Sequence, residues 1–205
     1  MLTDLKVTDF LQQTACGTPL PGGGSVSALS AALGAGLTEM VANLSVGKKG
    51  YEAVEIEMKE IAETVKRLRE QLVAEVDNDS NAYKGVLAAF KLPKTTEEEK
   101  EQRAQSIQDA MKNAARVPLS VAYDALQVLD LAGRVVKCGN QNAVTDGAVG
   151  AMMARTAALG ALYNVKINLV SIKDKAFVEE MMGEVNKLES RVQEREKEIL
   201  SYVEV

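Results

Sequence analysis

Between residues 51 and 90 the apolar positions of the chain step by four and three: Val54, Met58, Ile61, Val65, Leu68, Leu72, Val76, Tyr83, Val86 and Phe90. This spacing gathers them on one face of a long helix from Tyr51 to Phe90. The rhythm requires a seam residue at 79, and Asp79 stands there. A carboxylate on a core-facing seam is costly unless something satisfies or uses it. Asp77 raises no such question: two residues along a helix is about 200° of rotation, which turns it toward Ser80, Asn81 and Lys84.

The flanking segments read as helices as well. Thr3 to Ala15 is a short one, with Phe10 and Leu11 as its apolar contacts and Thr8 as a candidate cap. Pro19, Pro21 and the run Gly22, Gly23, Gly24 then break regular structure. From Ser25 to about Val46 the large residues Leu29, Leu33, Leu37, Met40 and Leu44 form one stripe, and Ala28, Ala31, Ala32 and Ala35 form a small one that admits close approach of another helix. Gly47, Lys48, Lys49 and Gly50 end it, glycine as a stop and lysines complementing the negative helix end. After Lys91–Lys94, Thr95 and Thr96 each have a glutamate three residues on and are capping-box candidates for the next helix. Pro118 marks a break or kink in it, with helix resuming from Leu119 to about Lys137.

Cys138–Asn142 is a polar turn. A second small-residue helix starts near Thr145 and carries Asn164 and Asn168 on one face. The last helix starts at Asp174 with Phe177, Val178, Met181, Val185, Leu188, Val192 and Ile199 inward. Strand-type alternation is scarce. The expectation is one all-α domain over residues 1–205, an antiparallel bundle of long helices, and a homodimer that covers the remaining seams.

Composition sharpens this. The chain is 46% hydrophobic but only 4% aromatic and has no Trp, so Ala, Leu, Val, Ile and Met must build a closely packed core. A net charge of −5 argues against a general nucleic-acid binder. The most apolar stretch, 25–46, is interrupted by Gly, Ser, Thr and Glu, so no membrane span is expected. The first residues lack a signal-peptide pattern, and Cys16 and Cys138 suit a reducing compartment; the expected location is cytoplasmic. The absence of histidine removes the commonest metal ligand and the commonest acid/base together. No metal site is expected, and catalysis falls to Asp, Glu, Lys, Tyr or backbone.

Each candidate site has two readings. Gly22–Gly24 and Ser25 put flexible backbone before a helix start, either a tight turn or an anion site built on free amides. Lys48 and Lys49 either neutralise a helix end or attract an anionic ligand. Asp146, just inside a helix start, is a dipole partner or a catalyst. Asn164 and Asn168 bond across the bundle or to a polar ligand. Asp79 either fixes helix register or, its pKa raised by burial, donates and accepts protons.

The stretches PGGGSVSALSAALGAGL (21–37), MVANLSVGKKGY (40–51), VDNDSNAY (76–83), KLPKTTEEEK (91–100), RVPL (116–119), CGNQNAVTDGAVGAMMA (138–154) and NVKINLVSIKD (164–174) together resemble the cyclodeaminase/cyclohydrolase family. That family comprises the C-terminal domain of formiminotransferase-cyclodeaminase and stand-alone methenyltetrahydrofolate cyclohydrolases. The resemblance implies an all-helical dimer handling one-carbon groups on tetrahydrofolate, with the folate derivative as substrate and no tightly bound cofactor. Its catalytic aspartate falls in a D-x-D-x-x-A-[YF] pattern whose second Asp matches Asp79, with Asp77 and Tyr83 in the same pattern. The glycine loop, Lys48, Lys49 and Asp146 match motifs that line the folate cleft. A separate formiminotransferase is the implied partner.

Overall fold

The computed structural model describes residues 1–203. Among these, six α-helices and no strand are found: α1 (Val7–Ala15), α2 (Gly23–Asn43), α3 (Glu55–Phe90), α4 (Glu97–Cys138), α5 (Val144–Leu169) and α6 (Lys175–Leu200). Short 3-10 turns at Leu2–Asp4, Glu52–Val54 and Gln141–Ala143 precede α1, α3 and α5. The all-α reading is thus correct.

The small stripe of α2 builds the centre. Ala28, Ala31 and Ala35 are fully buried, as are Ala151, Ala154, Ala157, Ala158 and Ala161 of α5. The two helices run antiparallel at near contact: a Cβ on Gly34 would stand 2.7 Å from the Gly150 carbonyl oxygen. Methyl-sized side chains are what this separation admits. The large stripe lies outside instead: Leu33, Met40 and Leu44 are exposed. α2 is also, by length and composition, apolar enough to cross a membrane, its interruptions notwithstanding, and 61% of that window is buried in the molecule. Its apolarity serves packing on α5 and α3.

The seam of α3 holds from Met58 through Ile61, Val65, Leu68 and Leu72 to Val76, all buried. It then leaves the core, and Tyr83 and Phe90 are exposed. The reason is length: α2 starts beside Asp79, so the last turns of α3 and the first of α4 project beyond it as a hairpin. Thr96 caps α4 in a capping box with Glu99, as the sequence predicts. Asp174 caps α6, whose Met181, Val185, Leu188, Val192 and Ile199 are buried.

Two expectations fail. The first helix is shorter than Thr3 to Ala15: Leu2–Asp4 is a separate turn, Lys6 occupies the cap position, and only Phe10 of the expected pair is buried. Pro118 neither breaks nor ends α4, which runs through it. Proline withholds the N–H that would bond the Ala114 carbonyl, and the side-chain amide of Asn168 on α5 donates to that carbonyl at 2.7 Å in its place.

Candidate functional site

Where α2 begins, a cavity of about 290 Å³ opens between the Pro19–Gly24 loop, α3, α4 and α5. Gly22, Gly23, Gly24, Asp79, Tyr83, Asn164 and Asn168 line it, together with Ala114 and Ile167. Seven sequence candidates therefore meet in one place. Ser25 stands directly behind Asp79, fully buried.

Gly24 explains the glycine run. A Cβ on it would lie 2.0 Å from Asp79 Oδ1, so the carboxylate sits against bare backbone at the head of α2. Gly22, the cap residue of α2, offers no side chain to the helix's free amides, and Asp79 approaches that positive end instead. The Ser25 hydroxyl lies 3.0 Å from Asp79 Oδ2, 2.8 Å from the Val76 carbonyl oxygen and 3.1 Å from Ser80 Oγ. With one proton, it can donate to the carboxylate or to the carbonyl, but not both. Burial pushes the Asp79 carboxyl above the usual range, opposed by the Ser25 hydroxyl and backbone N–H, with burial the stronger. Asp77 and Asp146 take no part in that shift.

Asn164 Nδ2 donates to Gly160 O at 2.8 Å, and Asn168 Nδ2 to Ala114 O at 2.7 Å. The oxygens of both amides accept no hydrogen bond from the described residues and are open to solvent.

The other sequence candidates lie elsewhere in the chain. Asp77 accepts from the Leu2 N–H at 2.7 Å and the Thr3 hydroxyl at 3.0 Å, tying the N-terminal turn to α3. Lys48, Lys49 and Asp146 sit at the opposite end of the α2–α5 pair, about 30 Å away along α2. There Lys48 donates to Asn140 Oδ1 and lies 5.5 Å from the Tyr51 ring centre. Asn140, 5% exposed, also donates to Leu44 O, receives the Asn142 N–H and passes its own N–H to Ser45 Oγ. Ala114, Ile167 and Ser80 were not singled out by sequence reasoning, because apolar and small residues on a helix give no chemical signal. The sequence marks Pro118 only as a break or kink.

A larger groove of about 600 Å³ runs along a neighbouring face of α3 and α4, with Glu75, Asn78, Asn81, Asn113 and Arg116 on its walls. Its width does not make it the better site, since neither Asp79 nor the glycine loop reaches it. Elsewhere on α4, burial foremost and the nearby Glu75 raise Asp124 to about 6. Among the described residues no three His, Cys, Asp or Glu side chains cluster as a metal site would require.

The family described as Formiminotransferase-cyclodeaminase matches residues 6–187. A methenyltetrahydrofolate cyclohydrolase of Methylorubrum extorquens is 40% identical over 89% of this chain and 88% of its own length. The formimidoyltransferase-cyclodeaminase of Mus musculus is 33% identical over 91% of this chain, which spans 35% of that protein. The crystal structure of a formiminotetrahydrofolate cyclodeaminase from Thermotoga maritima superposes with a TM-score of 0.88 at 30% identity, over 98% of this chain and 97% of that one.

Proposed function

The chain belongs to the formiminotransferase-cyclodeaminase family, and on that premise we propose that it makes or opens the one-carbon bridge between N5 and N10 of tetrahydrofolate with Asp79 as the acid/base. The observation that carries this is the carboxyl of Asp79, raised by burial, on the wall of a cavity and against a hydroxyl that adapts to either protonation state. When Asp79 is ionised, Ser25 donates to it. When Asp79 is protonated, Ser25 can accept from it and donate to the Val76 carbonyl 2.8 Å away.

The reaction favoured is cyclohydrolysis, on the 40% identity to a cyclohydrolase over nearly the whole of both chains. Water attacks the methenyl carbon, Asp79 takes its proton, and the resulting carbinolamine has one C–O and two C–N bonds at that carbon. Asp79 then returns the proton to N5 as the N5–C bond breaks, and the hydroxyl proton leaves to solvent as the formyl C=O forms, giving 10-formyl-tetrahydrofolate and one released proton. The structural match to a cyclodeaminase favours a second reading of the same site. There N10 attacks the carbon of the protonated formimino group (–CH=NH2⁺) of 5-formimino-tetrahydrofolate, Asp79 takes the N10 proton, and it passes that proton to the amino nitrogen of the tetrahedral intermediate as ammonia leaves and the methenyl cation forms. Both reactions need one group that works as base and then as acid.

A second copy of this chain completes the reading. Val26, Leu33 and Met40 on α2, with Met152, Tyr163 and Ile167 on α5, form an exposed apolar face that starts at the cavity. A two-fold axis across these antiparallel helices would bring the partner's Lys48, Lys49 and Asp146 end over the cavity, among whose described lining residues there is no cation for a carboxylate tail. Leu33→Glu is expected to give a monomer that no longer binds folate; a monomer that binds and turns over would defeat this arrangement. The primary test follows absorbance of the methenyl band. A protein-dependent fall with 5,10-methenyl-tetrahydrofolate, faster than in buffer, supports cyclohydrolysis. A rise with 5-formimino-tetrahydrofolate supports cyclodeamination, and silence with both defeats the catalytic reading.

A further inference from the structure

Pro118 leaves α4 one backbone hydrogen bond short, and Asn168 supplies it from another helix. A carbonyl oxygen only accepts, so this contact decides which end of the planar amide faces α4. The NH2 of Asn168 is committed to Ala114, and its oxygen is left for solvent or ligand. Asn164, one turn earlier on α5, is committed in the same sense by the Gly160 carbonyl. Both residues and Ala114 line the cavity with Asp79.

We propose that Pro118 is a positioning residue: by withholding a backbone donor it locks the Asn168 amide with its oxygen outward. The cavity then presents two amide oxygens beside a carboxyl, a set of acceptors. Such a set selects ligands by an N–H donor edge, as on the amino-pyrimidine ring of a reduced pterin. This ligand class rests on the folate reading above; the lock itself does not.

Alanine at 118 provides the missing N–H, which takes the Ala114 carbonyl by the ordinary helical bond. The Ala114 oxygen has a second lone pair, so Asn168 keeps only a shared, weaker bond there and turns its other end outward more readily. Proline is the least favourable residue inside a helix, so a purely structural account has Pro118→Ala improve or preserve everything. The lock has it raise stability and damage binding.

The experiment compares the parent, Pro118→Ala, Asn168→Ala and the double variant. Thermal melting is measured on each, with calorimetric binding of the unreactive analogue 5-formyl-tetrahydrofolate and steady-state kinetics. Pro118→Ala is expected to raise Tm by about 2–4 °C and to weaken Kd and raise KM by roughly tenfold, with kcat changed by less than about threefold. Asn168→Ala should lower Tm by about 2–4 °C in the parent, where it orphans a carbonyl, and by less than half of that beside Ala at 118. Additive Tm shifts, or an unchanged Kd in Pro118→Ala, would overturn the proposal. A parent that binds the analogue but turns over neither folate defeats only the catalytic reading. A parent that does not bind it, with a non-additive Tm cycle, overturns the assigned ligand class.

Discussion

The two ends of the α2–α5 pair are both polar, and they treat polar groups in opposite ways. At the far end Asn140 is engaged on both its donor and its acceptor sides: its N–H, its amide NH2 and its oxygen are bonded to Ser45, Leu44, Lys48 and Asn142. At the cavity end Asn164 and Asn168 spend only their NH2 groups, and Asp79 is held by one serine. Polar groups engaged on both sides bind the fold to itself. Groups with capacity left over and a cavity in front of them are what a ligand can use.

Breaking the comparison at its centre gives the largest effect. Asp79→Asn removes the proton carrier but keeps an oxygen for Ser25, so turnover should fall by about 10²–10⁴-fold while Tm at neutral pH does not fall; unchanged turnover would end the acid/base role. Asparagines at the two ends should differ next. Asn140→Ala strips a buried network bonded on both its donor and acceptor sides and should cost about 2–4 kcal/mol in a denaturant titration. Asn164→Ala loses one bond to a carbonyl of its own helix and should cost under about 1 kcal/mol. Equal losses would erase the distinction between the ends.

The smallest effect concerns Asp124, which belongs to neither end. Its folded pKa of about 6 lies above the roughly 3.9 of an unfolded aspartate. Between those values the folded state holds the proton more tightly, so stability falls as pH rises through that window and is level above it. Asp124→Asn removes the loss. After discounting for partial exposure it should add about 1 kcal/mol, or about 2–4 °C in Tm, at pH 7, and nothing near pH 3.5. An equal gain at both pH values would mean that the effect is not titration.

The elements were legible where periodicity is long, as in α3, α6 and the capped start of α4. The side of α2 that faces inward was less so. Its leucine stripe suggests a core face, but helix separation set by Gly34 and Gly150 buries the alanines and leaves Leu33 outside. Asp79 was legible because a charge interrupts an apolar seam, and the structure puts it on the cavity wall. Asp77 and Lys48 share motifs with the site yet serve ties that only tertiary contact reveals. The break expected at Pro118 does not occur because the rule for proline concerns its own helix, whereas the missing bond is made good by a residue fifty positions later in the chain.

The apolarity of α2 has a consequence for how this protein is made. One of its two main partners, α5, ends at Leu169, and a ribosome adding about 5–20 residues per second delivers it roughly ten seconds after α2 has emerged. Through that interval the nascent chain carries a helix that, by length and composition, could enter a bilayer. α3 follows α2 directly and covers part of it first. The order of helices along the gene thus shields the most insertion-prone segment with one permanent neighbour before the other exists.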